Sequence, residues 1–464
     1  MSKDLRSGLE DTGLEETTLQ ETASNGRMTS LPVDTVRLEE AARRARARHS
    51  AFYALSFRNF RLYFVGQLIS VAGTWMQTVA QQWLVYDLTK SAAWLGIVSG
   101  ASAIPYVLFA VWGGQIADRY SRRATLVWTQ TVMMLLAFVL AVLDERWWIP
   151  IQPWHIAVLS AISSVVNAFN MPAQQAFVTD MVDDRDALGN AIALNSLRFN
   201  LARFIGPILA GAVLAKVGAA MCFWLNGLSF IAVIISLLMM RLPPFKPHED
   251  SQPVWEGFHY IWKTPSVLRV IALIGIGSLL AWPVSTLYPV FATNFAQAIL
   301  GKAATAARVS SYSAVTLSQI MAVNGIGAAL GGLALAALGE RIPRRVSVYG
   351  GALLFCVALI LFSSASAYWM ALGVLLLSGF FMIVFAISSN TKVQEDAPDA
   401  LRGRVMAVYS LVFNGLFPIG GLEIGFLAEH LNADLAVCIN ASVCLVLGLG
   451  LLTWMLMDRR QPVR

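Results

Sequence analysis

From Phe57 onward the chain alternates long apolar stretches with short polar breaks. Twelve stretches stand out, near 62–86, 93–117, 124–143, 154–176, 190–215, 219–240, 267–295, 316–338, 346–363, 367–391, 404–428 and 433–457. Each is close to the ~20 residues that a helix rising ~1.5 Å per residue needs to cross ~30 Å of hydrocarbon. Lipid offers no hydrogen-bond partner to a backbone N–H or C=O. Runs of this length satisfy those groups only as α-helices, which excludes barrel strands. Composition agrees: 57% of the 464 residues are apolar and 13% charged, against ~25% charged in a typical soluble domain. The expected fold is an all-α membrane protein with twelve transmembrane helices.

The formal net charge is +6, and its distribution shows what it is for. With the N-terminus inside, fourteen basic residues fall in cytoplasmic loops or at their helix ends: Arg119, Arg122, Arg123, Arg185, Arg241, Lys246, Lys263, Arg269, Arg341, Arg344, Arg345, Lys392, Arg402 and Arg404. The opposite face receives five, Lys90, Arg146, Lys216, Lys302 and Arg308. This is the positive-inside bias, so both termini are expected in the cytoplasm and the charge sets orientation. No nucleic-acid footprint is visible. The four cysteines, Cys222, Cys356, Cys438 and Cys444, lie inside spans without a CxxC pair and read as small packed hydrophobes.

Residues 1–56 are expected to form a disordered cytoplasmic tail, acidic first (Glu10, Asp11, Glu15, Glu16, Glu21) and then basic (Arg43, Arg44, Arg46, Arg48). It has no apolar core to serve as a cleavable signal, so the first span acts as an uncleaved anchor. The basic segment before a span is also placed to meet anionic lipid. A linker over 241–266 divides the spans into two sets of six, 57–240 and 267–457, followed by a cytoplasmic tail over 458–464. Pro243, Pro244 and Pro247 stop helix propagation through the linker, while Val254, Trp255, Phe258, Ile261 and Trp262 recur at the spacing of an amphipathic helix on the inner leaflet.

The two sets read as copies. Residues 187–213 and 400–424 both begin Ala-Leu and carry a proline deep in the following span, Pro207 and Pro418. Those prolines are 211 apart while Leu188 and Leu401 are 213 apart, a repeat with a small indel. Duplicated six-helix halves around a shared site are an architecture of alternating-access transporters.

Polar groups inside the spans mark where such a site would be. In the first span Gln67, Ser70, Thr74, Gln77 and Gln81 follow at steps of 3, 4, 3 and 4, one helical face. Exposed to lipid, that stripe would cost several kcal/mol in unpaired groups, so it faces protein or water. The fourth span carries Ser160, Ser163, Asn167 and Asn170, and Asn195 opens the fifth. Interhelical hydrogen bonding without a substrate is the competing use of such residues. Arg198 and Arg203 lie about 12 and 20 Å into a fifth span that starts near Asn190. An intramembrane arginine costs at least ~2.5 kcal/mol without a partner, so both are candidates for function, Arg198 for an anionic substrate and Arg203 for structure or coupling. Snorkelling, or pairing with a carbonyl, is the alternative for each. Asp87 and Glu423 sit near outer span ends, and Glu423 is the acid placed to couple protons. The expected substrate contacts are Gln67, Thr74, Gln77, Asn167, Asn170, Asn195 and Arg198, with Trp282, Tyr288, Asn390 and Asn414 from the second half.

Between the second and third stretches lies GGQIADRYSRR, residues 113–123. It resembles the signature loop of the major facilitator superfamily, with Gly114, Asp118, Arg119, Arg122 and Arg123 on the motif positions and Ser121 where a second glycine is usual. The resemblance implies a fold of two pseudo-symmetric six-helix bundles and a loop that latches them on the cytoplasmic side. Glycine there would permit close helix approach, and the carboxylate would meet orphan N–H groups at a helix start. The corresponding GGLALAALGERIPRR at 331–345 lacks the aspartate. Residues 170–211 are more closely similar to the enterobactin-exporter, or transmembrane secretion effector, branch, which also contains drug-efflux proteins. Asn200, Arg203, Gly206 and Pro207 match its NxxRxxGP pattern, while GPILAG at 206–211 matches the antiporter motif in part, with Ala202 and Ala210 at glycine positions. Asn170 and Gln174 stand where that branch carries an aspartate and an arginine, so a proton relay through the fourth span is not expected.

No GxxxxGK[ST] loop, HExxH motif or clustered ligand set is present, so ATP hydrolysis, metal binding and enzymatic chemistry are not expected, nor is a cofactor. The expectation is a monomeric secondary transporter that exports a small amphipathic molecule, drug-like or siderophore-like, against protons, with membrane lipid as its other partner. A proton-independent facilitator or importer is the alternative within transport. A non-transporting receptor signalling through its tail is the alternative outside it.

Overall fold

The computed structural model describes residues 52–145, 150–182, 185–242, 255–339, 341–398 and 401–458. Residues 1–51 of the N-terminal tail, 243–254 of the linker and 459–464 lie outside the described residues. The end of the expected tail is not disordered, since Tyr53–Ser56 form a 3-10 turn whose Ala54 N–H donates to Asn190 Oδ1 at 2.9 Å. Among those described, regular structure is entirely helical. The first bundle contains α1 (Arg58–Thr89), α2 (Ala92–Ala101), α3 (Ala103–Arg119), α4 (Arg122–Asp144), α5 (Pro153–Asp180), α6 (Arg185–Lys216) and α7 (Ala219–Met239). A linker helix α8 (Trp255–Lys263) follows. The second bundle contains α9 (Pro265–Ile276), α10 (Tyr288–Leu300), α11 (Ala306–Leu338), α12 (Arg344–Ser363), α13 (Tyr368–Asp396), α14 (Arg402–Leu431) and α15 (Ala433–Asp458).

Eleven segments among the described residues are long and apolar enough to cross a bilayer; counting α1 as the first span, the second is made from α2 and the start of α3 and the seventh from α9 through α10. The remaining long helix, α1, has 32 residues; its polar stripe lowers its hydropathy, and protein neighbours make up the difference. Within the first bundle α7 packs on α1 and α4, α1 on α6, and α5 on α3 and α4. Within the second, α13 packs on α11 and α12, α15 on α12, and α14 on the seventh span and α15. Leucines and valines such as Leu333 and Val446, 63% and 66% exposed, face outward as a lipid-facing side chain must.

The turns explain how the spans reverse. Lys90 takes the left-handed conformation, φ 50°, that lets its N–H close on the Tyr86 carbonyl, and Ser91 then accepts from the Trp94 N–H to start α2. Gly218, at φ 101°, turns α6 into α7, a backbone state that a side chain rarely adopts. The repeat expected from sequence also has physical counterparts. Arg122 at the start of α4 bonds Asp180 at the end of α5 at 2.6 Å, and Arg344 at the start of α12 bonds Glu395 near the end of α13 at 3.3 Å.

The linker helix sits where the amphipathic pattern predicts one, but it is not held by lipid alone. A Cβ on Gly257 would lie 2.8 Å from the Arg404 backbone, Glu256 pairs with Arg404, and the Tyr260 hydroxyl donates to the Asp396 carbonyl at 2.9 Å. Helix α8 therefore belongs to the second bundle, with Trp255 and Trp262 turned outward.

The bundles meet along two seams, α2 against α14 and α6 against α11. Small residues bring the backbones together at both. A Cβ on Gly425 would stand 2.7 Å from the Gly96 Cα, and one on Gly211 would stand 2.6 Å from the Ser318 Oγ. Among the described residues, the hydrogen bonds joining the bundles run from mid-depth to the face opposite the linker.

Candidate functional site

Arg198 and Arg203 are on the same helix, α6, and serve two different interfaces. Arg198, 3% exposed, turns into the first bundle. Its Nη1 donates to Gln67 Oε1 at 3.1 Å and its Nη2 to Asn195 Oδ1 at 2.8 Å, while its Cζ lies 5.5 Å from the Tyr63 ring centre. No carboxylate bonds it among the described residues, and Arg198 Nε and Gln67 Nε2 have no partner there. The charge is thus held by neutral oxygens and an aromatic face, an arrangement that leaves its attraction for an anion unspent.

Arg203 turns the other way and crosses to the second bundle. Its Nη2 donates to Asn324 Oδ1 on α11 at 3.2 Å and reaches Met382 Sδ on α13 at 3.8 Å, with its Cζ 5.5 Å from the centre of the Trp75 ring. Five residues turn an α-helix through about 500°, so side chains at that separation point to different neighbours.

Beyond Arg203 the bundles close on the face opposite the linker. Trp83 Nε1 donates to Ser313 Oγ at 3.2 Å, and Asp87 Oδ1 accepts from Ser310 Oγ at 2.8 Å as well as from Lys90. Glu429 Oε2 accepts from Ser91 Oγ and from the Ala93 N–H, at 3.0 and 3.1 Å. Neither Glu429 nor Asn324 stood out in the sequence. Glu429 is near a span end, where an acid is ordinary, Asn324 is one small polar residue in mid-span, and only the fold brings the partner of each from more than a hundred residues away.

The polar stripe of α1 does not face one chamber. Gln67 turns to α6, but Gln77 Oε1 accepts from Asn226 on α7 at 2.7 Å and Gln81 donates to Ser160 on α5 at 2.7 Å. Ten residues at ~100° each leave Gln77 about 80° away from Gln67 around the helix, enough to face another neighbour. Asn170 is 5% exposed, and its Oδ1 accepts from Thr129 and Gln130 of α4 at 3.1 and 3.2 Å. In this state it joins α4 to α5. Thr74 is exposed, with its hydroxyl donating to the Ser70 carbonyl, and Asn167 is half-buried.

In the second bundle the seventh span is broken. After α9 the backbone passes through a π-turn at Gly277–Ala281 and a 3-10 stretch at Trp282–Leu287 before α10 begins. Pro283 and Pro289 are the sequence trace of this break, which the apolar pattern alone conceals. Trp282 sits in the break among Phe385, Phe413 and Phe355, at ring separations of 5.2, 5.2 and 5.6 Å. Tyr288 is 4% exposed and packs on Phe362, closed to substrate in this state. Asn390 accepts from Gln394, and Asn414 donates to the Ser410 carbonyl of its own helix; both are half-buried. Glu423 is exposed and accepts from Asn440 of α15 at 2.7 Å, so it faces the twelfth span, away from the space between the bundles.

In the loop expected to latch the halves, the bonds described for Arg122 and Arg123 are to their own bundle. Arg122 holds Asp180 and the Ala176 carbonyl, while Arg123 donates to the Leu238 and Met240 carbonyls at the end of α7. Arg119 is exposed. A Cβ on Gly114 would meet nothing within 4 Å, whereas one on Gly113 would lie 2.0 Å from the Ala168 carbonyl oxygen, so the close-approach glycine is Gly113. Asp118 lies at the C-terminal end of α3 rather than at a helix start; its side chain is outside the described part.

The chain matches the family model described as transmembrane secretion effector over residues 49–461. It belongs to that family of the major facilitator superfamily. Its architecture is the major facilitator fold, and the protein is a multi-pass membrane transporter, not an enzyme. It is similar to the multidrug efflux pump Tap of Mycobacterium tuberculosis, 26% identical over 387 residues that cover 79% of this chain and 86% of Tap. Similarity to the enterobactin exporter EntS of Escherichia coli is 24% over 409 residues, 86% of this chain and 92% of the exporter. A staphyloferrin A transporter of Staphylococcus aureus is 27% identical over 192 residues, 41% of this chain; the match spans 48% of that transporter, about half its length. Among solved structures, the nucleoside transporter NupG superposes with TM-score 0.63 at 16% identity, covering 86% of this chain and 98% of NupG. An inward-facing, unoccupied bacterial homologue of the lysosomal transporter Spinster gives 0.59 at 15%, covering 86% and 95%.

Proposed function

We propose that this chain exports small amphipathic molecules, drug-like or siderophore-like, across the bacterial inner membrane by alternating access, with protons moving inward in exchange. The observation that carries the reading is the Arg203–Asn324 contact: an intramembrane cation joins the bundles at mid-depth, and the polar contacts beyond it close only the face opposite the linker. With the linker and both termini in the cytoplasm, this is a cytoplasm-facing state ready to load. Thr74, Asn167, Asn195, Asn390 and Asn414 border the route, and Arg198 supplies positive potential for acidic groups on a cargo. The similarity to a multidrug pump and an enterobactin exporter supports both cargo classes.

A second reading, transport without proton coupling, is favoured by the placement of the acids. Every acidic residue of the described helices lies no more than eight residues from a helix end, with Glu423 the deepest. Under antiport the coupling acids are therefore Asp87 and Glu429, which act on the closed face rather than through a relay at mid-depth. Accumulation in everted vesicles, where the cytoplasmic face is outermost and export is read as uptake, separates the readings when measured with a panel of hydrophobic cations and catecholate anions before and after the proton gradient is collapsed. Antiport requires export to stop with the gradient; export that continues down its own concentration gradient establishes the facilitator. Absence of transport for the whole panel rejects both cargo classes.

A further inference from the structure

At the linker face of the second bundle four helices part around a cavity of about 140 Å³. Its polar wall comes from helices far apart in sequence: Ser266 and Arg269 on α9, Arg345 and Tyr349 on α12, and Lys392 on α13, with Met455 of α15 closing one side. A water needs only ~10–15 Å³ of such space, so the cavity admits a polyatomic group. Among the described residues no acidic side chain lines it. Lys392 is paired with Asp396 of its own helix, and Arg269 is fixed by its Nε bond to the Pro265 carbonyl at 3.0 Å and by the Trp454 ring, 5.1 Å from its Cζ.

Arg345 is the informative member. Its counterpart in the first half is Arg123, which spends its guanidinium on the carbonyls of Leu238 and Met240 that end α7. Among the described residues Arg345 makes no hydrogen bond, although its neighbour Arg344 holds Glu395. The repeat has kept the arginine, and in the second half that arginine lines an open, basic cavity. Val346, Trp454 and Met457, 59%, 41% and 62% exposed, lie beside it on α12 and α15. At the same face α8 presents Trp255 and Trp262, 77% and 78% exposed, the residue type that settles at head-group level.

We propose that this cavity binds the phosphate head group of an anionic phospholipid, whose acyl chains lie along the exposed apolar edge of α12 and α15. Arg345 and Lys392 supply the charge, and Ser266 and Tyr349 the hydroxyl donors. The occupant is a lipid because the cavity opens beside apolar side chains at interface depth. A soluble anion would gain nothing from them.

Native mass spectrometry of the full-length protein released from detergent, with phosphatidylglycerol or phosphatidylcholine added, tests this. Wild type is expected to retain phosphatidylglycerol in preference to phosphatidylcholine. Arg345→Gln combined with Lys392→Gln is expected to weaken that retention roughly thirtyfold, the effect of two interfacial cations. Arg345→Gln alone, which spares the Lys392–Asp396 pair and so the fold, is expected to weaken it about fivefold, and Arg341→Gln at the same face is expected to leave it unchanged. Equal retention of the two lipids by wild type, or undiminished phosphatidylglycerol binding by the single and double variants, overturns the proposal. Binding of inorganic phosphate to wild type with no preference for phosphatidylglycerol identifies a soluble anion and also overturns it.

Discussion

The carboxylate of Glu429, near the end of α14, accepts from both the Ser91 hydroxyl and the Ala93 N–H, so a side chain of the second bundle completes the N-terminal cap of a helix in the first. An anion at this position satisfies orphan donors and the positive end of the helix dipole together, a combination worth about 1–2 kcal/mol. Glu429→Gln keeps the shape and loses the charge. It is expected to shift the protein several-fold toward opening on the face opposite the linker. Labelling of a single cysteine at Ser310, in a background without the native cysteines, by a membrane-impermeant maleimide measures that shift as a faster rate.

Backbone contact at the same seam makes a steric prediction. Gly425→Ala places a Cβ 2.7 Å from Gly96 and 2.8 Å from the Ala92 carbonyl oxygen, an overlap that costs about 1–3 kcal/mol and prevents closure. The maleimide assay is expected to show persistent opening, and transport to fall by about tenfold or more. Gly114→Ala, which meets nothing within 4 Å, is expected to behave as wild type in both assays.

Arg203 and Asn324 are expected to act as one unit. Arg203→Lys and Asn324→Ala should each slow transport with normal membrane insertion, and the double variant should be little worse than either. A double-mutant cycle on transport rate is expected to give a coupling of about 1.5–3 kcal/mol, the range for hydrogen bonds to a charged group. Additive losses would remove Arg203 from its bridging role.

Arg198 is separable from stability because its partners are neutral. Arg198→Met removes a desolvated charge while keeping much of the volume, so the thermal midpoint is expected to move by no more than a few degrees, since replacement of a buried charge by an apolar side chain is often near neutral. Export of anionic compounds should fall while that of neutral compounds persists. Unchanged anion export by a well-folded variant would reject the electrostatic role.

Much of the fold was legible before any coordinates. Apolar run length gave the spans, the Pro207 and Pro418 contexts gave the repeat, and the Trp255–Trp262 pattern gave the linker helix. The site was legible by type and less so by partner. Gln77, Asn170 and Glu423 are the kind of residue that lines a transport route, yet they face α7, α4 and α15. Helical periodicity reports the angle at which a side chain leaves its own axis; it carries no information about which helix has been packed there. The broken seventh span was hidden for a related reason, since π and 3-10 turns keep the same apolar composition as the helices they interrupt.

The sequence by itself determined that this chain crosses the membrane as helices, which face carries its basic charge, and that it is built twice from one pattern. These follow from solvation free energies, which sum residue by residue along the chain. Only the tertiary structure decided that Arg198 stays within one bundle while Arg203 crosses to the other, that Glu429 ties the halves in this state, and that Gly113 rather than Gly114 admits close packing. Those outcomes depend on the relative placement of helices tens to hundreds of residues apart, and a hydrogen bond or van der Waals contact exists only between groups already brought to within a few ångströms.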